Sequence, residues 1–246
     1  RDRGVELLPG RRAVGMETDS QKVVLDDGST VEYDNLLLAT GASAKRPSIP
    51  GSDLPVVHTL RTLDDAQAIK DRAGNGGVRD VVILGAGLVS LQTADAIYDD
   101  GVSITVLVGS GQVLSQNVDK ECARIVESRL GSKKVVIHFG NDAEEIVEEK
   151  GRAVVISRSG DRFPAEMIVV GKGVDPNTQL AEECGIAVNR GVLVDEYTRT
   201  SVPNVFAAGD VAEGPGLLSG EPEVMATWYN ACHQGRIAGM NMAGRN

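Results

Sequence analysis

The sequence has few residues of the kinds that form disulfides or metal sites. It contains 3 cysteines and 3 histidines among 246 residues, with no C-x-x-C pair and no metal-ligand spacing of Cys and His. Three cysteines cannot all pair, and none has a neighbouring cysteine to resolve a disulfide, so we expect structural rather than redox roles for them. The sequence therefore predicts a metal-free protein of a reducing compartment, the cytoplasm.

Long apolar runs and an excess of basic charge are also absent. No apolar run approaches the roughly 20 residues that span a bilayer, and the charged start does not resemble a signal peptide. Acidic residues outnumber basic ones by 35 to 25, and the net charge of -10 repels a phosphate backbone. We therefore expect neither a membrane nor a nucleic acid as partner. With 41% hydrophobic residues, the chain can form one large or two small globular domains.

The middle of the sequence has the element order of a right-handed βαβ unit. Buried apolar runs alternate there with a glycine turn and with helical periodicity. The predicted elements are a strand over Asp80–Leu84, the turn Gly85–Gly87, a helix from Leu88 to Asp99, a strand over Ser103–Val108, a helix from about Val118 to Leu130 and a strand over Val135–Phe139. This pattern predicts an α/β fold with a parallel sheet.

The flanking segments predict short strands and a domain crossing. Asp27-Gly28 is typical of a hairpin turn within residues 21–34, and Asn35–Ala39 is typical of a strand buried on both faces. The proline-rich segment Arg46–Gly51 interrupts regular structure and indicates a crossing between domains.

Between residues 144 and 170, short apolar runs separated by turns predict a three-stranded antiparallel meander inserted into the parallel pattern. Its predicted strands are Ile146–Glu149, Ala153–Ser157 and Met167–Val170. The remaining predicted elements are a helix from Thr62 with Leu63, Ala66 and Ile69 on one face, a helix opened by Pro176-Asn177, a strand over Val205–Ala207 and a helix from about Val224 to Met242.

The pattern Gly85-x-Gly87-x-x-Ser90 follows a predicted buried strand directly. Gly85 would allow a tight turn, Gly87 would let the backbone approach a pyrophosphate, and a small residue at Ser90 would let helix and strand pack closely. The helix start, with Leu88 and Val89, would offer free N–H groups and a positive dipole to phosphates. A plain glycine turn is the alternative, but the position after a strand favours a dinucleotide site.

The next strand ends without the residue that usually identifies the nucleotide. About 20 residues after the glycine turn, an acidic side chain normally binds the ribose of NAD, or an Arg accommodates the phosphate of NADP. Here Val108 stands at that position and Gly109–Gln112 follows. The choice between NADH and NADPH therefore stays open.

A further motif lies near the end of the chain, at Val205–Asp210. It reads as a buried strand, then Gly209, against whose backbone a ligand could lie, then Asp210, whose carboxylate could accept hydrogen bonds from hydroxyl groups. Taken alone, the segment favours a plain strand that ends in a turn.

Three motifs in this order, Leu38-Ala39-Thr40-Gly41-Ala42, Gly85-x-Gly87 and Val205–Asp210, closely resemble those of the FAD-dependent pyridine nucleotide-disulfide oxidoreductases. The resemblance extends from about Val24 to Gly244. The segment Met225–Gly244 resembles the branch of NADH-dependent ferredoxin, rubredoxin and nitrite reductases, which favours NADH.

The resemblance implies two nested Rossmann-like domains. An FAD domain would comprise residues 1–54 and 175–246, and an NAD(P)H domain with the meander would comprise residues 55–174. The implied FAD residues are Gly209 and Asp210 at the ribitol, Thr40 and Gly41 at the domain crossing, Arg46, and Thr227 and Trp228 near the isoalloxazine ring. The implied NAD(P)H residues are Gly85, Gly87, Leu88, Val89, Ser90, Val108, Gln92 where many relatives have a Glu close to the nicotinamide, and Gly171 and Gly173 in a closing loop. No role is evident for Lys172.

Two parts of the family pattern are not found in the sequence. Relatives begin with a strand and a G-x-G-x-x-G turn for the ADP part of FAD, and they continue past the final helix into an interface domain. We therefore expect a fragment with an incomplete FAD domain, which would bind FAD weakly and have little turnover alone.

The resemblance implies an enzyme that passes hydride from NAD(P)H to FAD and electrons on to an unidentified acceptor, either a small electron-transfer protein or a small molecule. The cofactors carry that chemistry, so no catalytic side chain is assigned. The full-length parent is expected to be a homodimer. The alternative is a nucleotide-binding, flavoprotein-like redox sensor or interaction module, which Val108 and Gln92 favour.

Overall fold

The computed structural model describes residues 4–74, 78–99, 101–133, 135–217 and 219–245. They form two compact units, a terminal unit of Arg1–Ser43 with Asp175–Asn246 and a central unit of Ala44–Val174. None of the described helices is both long enough and apolar enough to cross a membrane. The assignment of residues 1–54 and 175–246 to an FAD domain and of residues 55–174 to an NAD(P)H domain stays a prediction.

The terminal unit begins with an antiparallel sheet. Its strands are β1 (Ala13–Glu17), β2 (Lys22–Leu25) and β3 (Thr30–Glu32), followed by β4 (Leu36–Leu38) and β5 (Ala42–Ala44). The hairpin β2–β3 is confirmed, and Gly28 in its turn has a φ of 81°, which favours glycine. Strand β1 was not predicted from the sequence, and it pairs with β2 through an irregular register.

The central unit is built around a five-stranded parallel sheet in the order β6-β13-β7-β8-β9. Its elements are β6 (Val57–Thr59), α1 (Leu63–Gly74), β7 (Asp80–Leu84), α2 (Leu88–Ile97), β8 (Ser103–Val108), α3 (Lys120–Ser132), β9 (Val135–Phe139), β10 (Ala143–Glu149), β11 (Arg152–Ser157), β12 (Arg162–Ala165) and β13 (Met167–Val170). The predicted βαβ unit is confirmed as β7, α2 and β8.

Both faces of this sheet are buried, which explains the unbroken apolar runs of its strands. In β7, Val81 and Ile83 belong to one core cluster and Val82 and Leu84 to the other. The first cluster also contains residues of the three helices, and the second contains residues of the meander. β7 is therefore the centre of a three-layer arrangement.

The meander is present, but its predicted third strand is wrong. Strands β10, β11 and β12 form the antiparallel sheet, whereas β13 pairs in parallel with β6 and β7. All of Met167–Val170 is buried, as expected for a central parallel strand. The third strand of the meander is β12, which the sequence does not indicate because Arg162–Ala165 is short, polar at its start and contains Pro164.

Two predicted helices need correction. In α1, Leu63 is 89% exposed and Ala66 is exposed, because the helix packs on the core through Ile69 and Ala73 instead. The last helix begins at Trp228 rather than near Val224, since residues 222–223 form a strand and Thr227 caps the helix.

The remainder of the terminal unit surrounds a smaller core. Its elements are β14 (Val174–Pro176), whose first residue is the last of the central unit, α4 (Gln179–Glu183), β15 (Val192–Leu193), β16 (Val205–Ala207), β17 (Ala212–Pro215), β18 (Pro222–Glu223) and α5 (Trp228–Met242). β16 pairs in parallel with β4, which confirms the strand predicted at residues 35–39, but only Leu38 of β4 is buried, so its predicted burial on both faces is wrong. β5 pairs with β14, and β15, β17 and β18 form a three-stranded sheet.

Candidate cofactor sites

The turn that follows β7 has space only for glycine at its first position. Gly85 has a φ of 102°, and its N–H donates to the carbonyl of Leu107 at 2.8 Å. A Cβ at Gly85 would lie 2.5 Å from the carbonyl oxygen of Gly171. The turn after β7 is therefore in direct contact with the end of β13.

Ser90, on α2, packs against the same carbonyl group of Gly171. Its side chain is fully buried, and its Oγ donates to the carbonyl of Gly171 at 3.2 Å. A Cβ at Gly171 would overlap that Oγ, and the Gly171 N–H donates to Leu84 at 2.9 Å. The structure thus brings three predicted site residues, Gly85, Ser90 and Gly171, into one packed group.

The start of α2 is open by comparison. Gly87 is the N-cap residue, no side chain caps the helix, and the first turn has no acidic residue. Among the described residues, nothing lies within 4 Å of a Cβ built at Gly87, and Leu88 and Val89 are 49% and 42% exposed. Uncapped N–H groups and the helix dipole favour an anion here, so these residues fit a nucleotide diphosphate.

The end of β8 carries no ribose-binding carboxylate of its own, because Val108 is buried there. A carboxylate nevertheless reaches this place from the neighbouring strand. Asp142, which follows β9, has its Oδ2 3.7 Å from a Cβ built at Gly109. Both oxygens of Asp142 accept from the ammonium group of Lys172, at 2.6 and 2.5 Å. No role for Lys172 was evident from the sequence, and Asp142 was not among the predicted site residues.

Two other predicted NAD(P)H residues, Gln92 and Gly173, have different surroundings. Gln92 is exposed on α2 and lines a groove of about 620 Å³ between α1 and α2, together with Lys70. Gly173 has a φ of 86°, and its carbonyl accepts from the backbone of Lys45 at 3.0 Å. Their roles near a nicotinamide stay predictions.

In the terminal unit, the end of β16 is attached to α5. Gly209 has a φ of 82°, and its N–H donates to Gln234 Oε1 at 2.8 Å. A Cβ at Gly209 would meet only Ala231 among the described residues, at 3.6 Å. Asp210 is half-buried directly after this turn. A backbone with little covering it, followed by a carboxylate, fits the polyhydroxyl chain of a flavin nucleotide.

Asn177, which the sequence predicted only as the start of a helix, makes hydrogen bonds to Thr40 and Gly41. Asn177 donates its side-chain amide to the carbonyl of Thr40 at 2.8 Å, and the Thr40 hydroxyl donates back to the Asn177 carbonyl at 2.8 Å. Its backbone N–H donates to Gly41 at 2.9 Å, and its Oδ1 accepts from the Ser43 hydroxyl at 2.7 Å. Asn177 therefore fixes the segment where β4 leads into β5.

The other predicted FAD residues lie in different places. Thr227 caps α5 by accepting from the backbone of Asn230 at 3.4 Å, and Trp228 is 81% exposed in the first turn of that helix. Arg46 belongs to the central unit, where it donates to the carbonyl of Ser52 at 2.8 Å. The roles of Arg46, Thr227 and Trp228 at FAD stay predictions.

The cysteines show no feature of a redox pair. All three are free, and the Asp119 carboxylate, through a hydrogen bond and its charge, raises the pKa of Cys122. A raised pKa lowers the thiolate fraction and hence the reactivity of this thiol.

Comparison with known proteins gives matches over nearly the whole chain. The chain is 34% identical, over 238 residues, to the ferredoxin–NAD(+) reductase component of the biphenyl dioxygenase system of Paraburkholderia xenovorans (strain LB400), which covers 97% of this chain and 58% of that protein. The ferredoxin reductase for the CYP199A2 system from Rhodopseudomonas palustris matches with a TM-score of 0.93 at 31% identity, over 99% of this chain and 60% of that one. The covalent putidaredoxin reductase–putidaredoxin complex matches with a TM-score of 0.89 at 26% identity, over 98% and 58%.

These matches confirm the predicted class of α/β fold, with a Rossmann-like parallel sheet and an antiparallel meander. The chain spans about half the length of the curated relatives it matches. The family described as pyridine nucleotide-disulphide oxidoreductase matches residues 1–235. The chain therefore belongs to the pyridine nucleotide-disulphide oxidoreductase family.

Proposed function

We propose that this chain is part of a flavoprotein oxidoreductase that passes hydride from NAD(P)H to FAD and electrons on to a ferredoxin-type protein. The observation that carries the proposal is the packed group of Gly85, Ser90 and Gly171, which leaves Gly87 and the start of α2 uncovered. The matched relatives named as ferredoxin reductases support the nature of the acceptor. A homodimeric parent and a cytoplasmic location stay predictions.

The nicotinamide would supply the hydride and the flavin would accept it, so the residues of the chain act by binding and orienting. The backbone N–H groups at the start of α2 would hold the diphosphate of NAD(P)H. Gly209 would leave room for the flavin nucleotide, and Asp210 would accept hydrogen bonds from its hydroxyl groups. Asn177 would position Thr40 and Gly41 through its hydrogen bonds.

Calorimetric titration of the 246-residue chain with NADH and NADPH tests the central step. We expect sub-millimolar binding of at least one nucleotide at one site. Gly87→Ala should weaken that binding about tenfold or more, because the new Cβ occupies the space where the diphosphate approaches the backbone. The free energy of unfolding should change little, since this Cβ meets no described atom.

Gly131→Ala is the matched control, because it adds the same group on α3, where a Cβ also meets no described atom. It should leave nucleotide binding unchanged. Absence of binding of either nucleotide to the wild-type chain would contradict the proposal.

The second candidate is a nucleotide-binding redox sensor or interaction module. The absence of a carboxylate at Val108 and the amide at Gln92 favour it. Reduction of ferricyanide by NADH, measured with the full-length parent loaded with FAD, separates the two. Turnover supports the oxidoreductase, whereas nucleotide binding without turnover supports the sensor.

A further inference from the structure

An ion pair lies along the edge of the central sheet at which its strands end. Lys172 comes two residues after β13, and Asp142 comes three residues after β9. The ammonium group of Lys172 lies 2.6 and 2.5 Å from the two carboxylate oxygens. The side chains are only 22% and 18% exposed, so the pair is largely shielded from water.

The pair extends from the glycine turn to the end of β8. Lys172 Cγ is 3.6 Å from a Cβ built at Gly85, and Asp142 Oδ2 is 3.7 Å from a Cβ built at Gly109. The strand order of the sheet reverses between β13 and β7. In open α/β sheets, ligands bind outside the carboxyl ends of the strands next to such a reversal. The carboxylate that usually binds the ribose stands at the end of the second strand, here β8 next to Gly109, so Asp142 and its partner Lys172 stand where the ribose beyond the diphosphate would lie.

We propose that Asp142 and Lys172 together bind the adenosine ribose of the nicotinamide nucleotide and determine the choice between NADH and NADPH. The inference rests on the proposed nucleotide site and deepens it. Asp142 replaces the carboxylate that Val108 does not supply, because it can accept a hydrogen bond from a ribose hydroxyl. Lys172 offers the positive charge that a ribose 2′-phosphate requires.

The two charges oppose each other in their preference for nucleotide. The carboxylate repels a 2′-phosphate and the ammonium group attracts it. Because they neutralise each other, the wild-type chain accepts both nucleotides, with dissociation constants within about tenfold of each other. Removal of the carboxylate therefore leaves the preference of Lys172 for NADPH, and removal of the ammonium group leaves the preference of Asp142 for NADH.

The test is calorimetric titration of four proteins with NADH and with NADPH: the wild-type chain, Asp142→Asn, Lys172→Met and the double variant. Asp142→Asn should shift the ratio of the two dissociation constants about tenfold towards NADPH, and Lys172→Met about tenfold towards NADH. The double variant should return the ratio close to the wild-type value. Asp142→Ser and Lys172→Gln repeat the measurement if circular dichroism shows that a first variant is unfolded.

The pair of Lys133 and Asp95 supplies matched controls, because it joins the same residue types between the C-cap of α3 and α2, where β9 begins rather than where the parallel strands end. Lys133→Met and Asp95→Asn change the net charge equally and should leave the ratio unchanged. A ratio that stays constant in all variants, or equal weakening of both nucleotides, overturns this inference and leaves the proposed nucleotide site intact. Failure of the wild-type chain to bind either nucleotide contradicts the proposed function itself.

Discussion

The central unit carries its candidate site on a five-stranded sheet with both faces buried, whereas the largest sheets described in the terminal unit have three strands. The turn of Gly85 is accordingly fixed by close packing against β13. In the terminal unit, hydrogen bonds from polar side chains fix the corresponding backbone segments. Asn177 binds Thr40 and Gly41, and Glu213 binds the loop before β15. A small core can therefore be supplemented by side chains that hydrogen-bond the backbone.

Truncation of one buried isoleucine in each unit gives the largest expected difference. Ile83→Ala in β7 should lower the free energy of unfolding by about 4 kcal/mol, because the strands on both sides prevent collapse around the cavity. Ile186→Ala should cost about 2 kcal/mol, because Ile186 lies in a loop that can relax. Ile83 is 0% and Ile186 3% exposed, so burial is matched. Urea denaturation measures the free energy of unfolding of both variants. Equal losses would show that the core of the terminal unit tolerates truncation no better than the five-stranded sheet does.

Local sequence patterns were sufficient for the central strands and the glycine turn. β7, the turn and α2 are contiguous, and their apolar spacing is a property of the segment itself. β12 was missed because its pairing with β11, rather than its polar sequence with Pro164, makes it a strand.

The contacts that complete the candidate sites could not be read from the sequence in this way. Lys172 and Asp142 are 30 residues apart, and Asn177 and Thr40 are 137 residues apart. Residues so far apart in sequence come into contact only because strand pairing places the ends of their strands side by side. The fold class was therefore predictable from periodicity, while the partners of Lys172 and the role of Asn177 required the three-dimensional arrangement.

Replacement of Glu213 should produce the next largest effect and tests the polar support of the terminal unit. The carboxylate is 3% exposed and accepts from the N–H groups of Arg190 and Gly191 at 2.8 Å each, and from Asn189 Nδ2 at 2.8 Å. Glu213→Ala leaves these donors without their acceptor and should cost about 1–3 kcal/mol. The exposed Glu196→Ala is the control. A cost no larger than that of the control, measured by urea denaturation, would show that the loop does not need the carboxylate.

Removal of the Ser90 hydroxyl tests the packed group in the central unit. Ser90→Ala loses the hydrogen bond to Gly171 and should cost about 1 kcal/mol, while the small side chain keeps the close packing. Nucleotide affinity should stay within about twofold, because no charge and little volume change. Ser90→Val adds volume at a contact without space and should cost about 1–3 kcal/mol. Thermal and urea denaturation of both variants provide the measurement. If Ser90→Val were the more stable variant, close packing at this position would be refuted.

Glu166 should show the smallest effect, because it repeats the arrangement of Glu213 in a more open place. Its carboxylate accepts from the consecutive N–H groups of Arg79, at 2.5 Å, and Asp80, at 3.3 Å, but the side chain is 30% exposed. The hydrogen bond from Arg79 is the largest cause that lowers the pKa of Glu166 below its ordinary value of 4.5.

A carboxyl group with a lowered pKa in the folded state stabilises the protein above its unfolded pKa, and this stabilisation is lost as the pH falls through the folded pKa. Glu166→Gln should therefore cost at most about 1 kcal/mol at neutral pH, since water screens the group, and less below pH 4.5. Urea denaturation at pH 7 and pH 4 measures the difference, with the exposed Glu148→Gln as control. Because Glu166 and Glu213 both accept from consecutive backbone N–H groups, a larger cost at Glu166 than at Glu213 would mean that burial does not set the strength of this support.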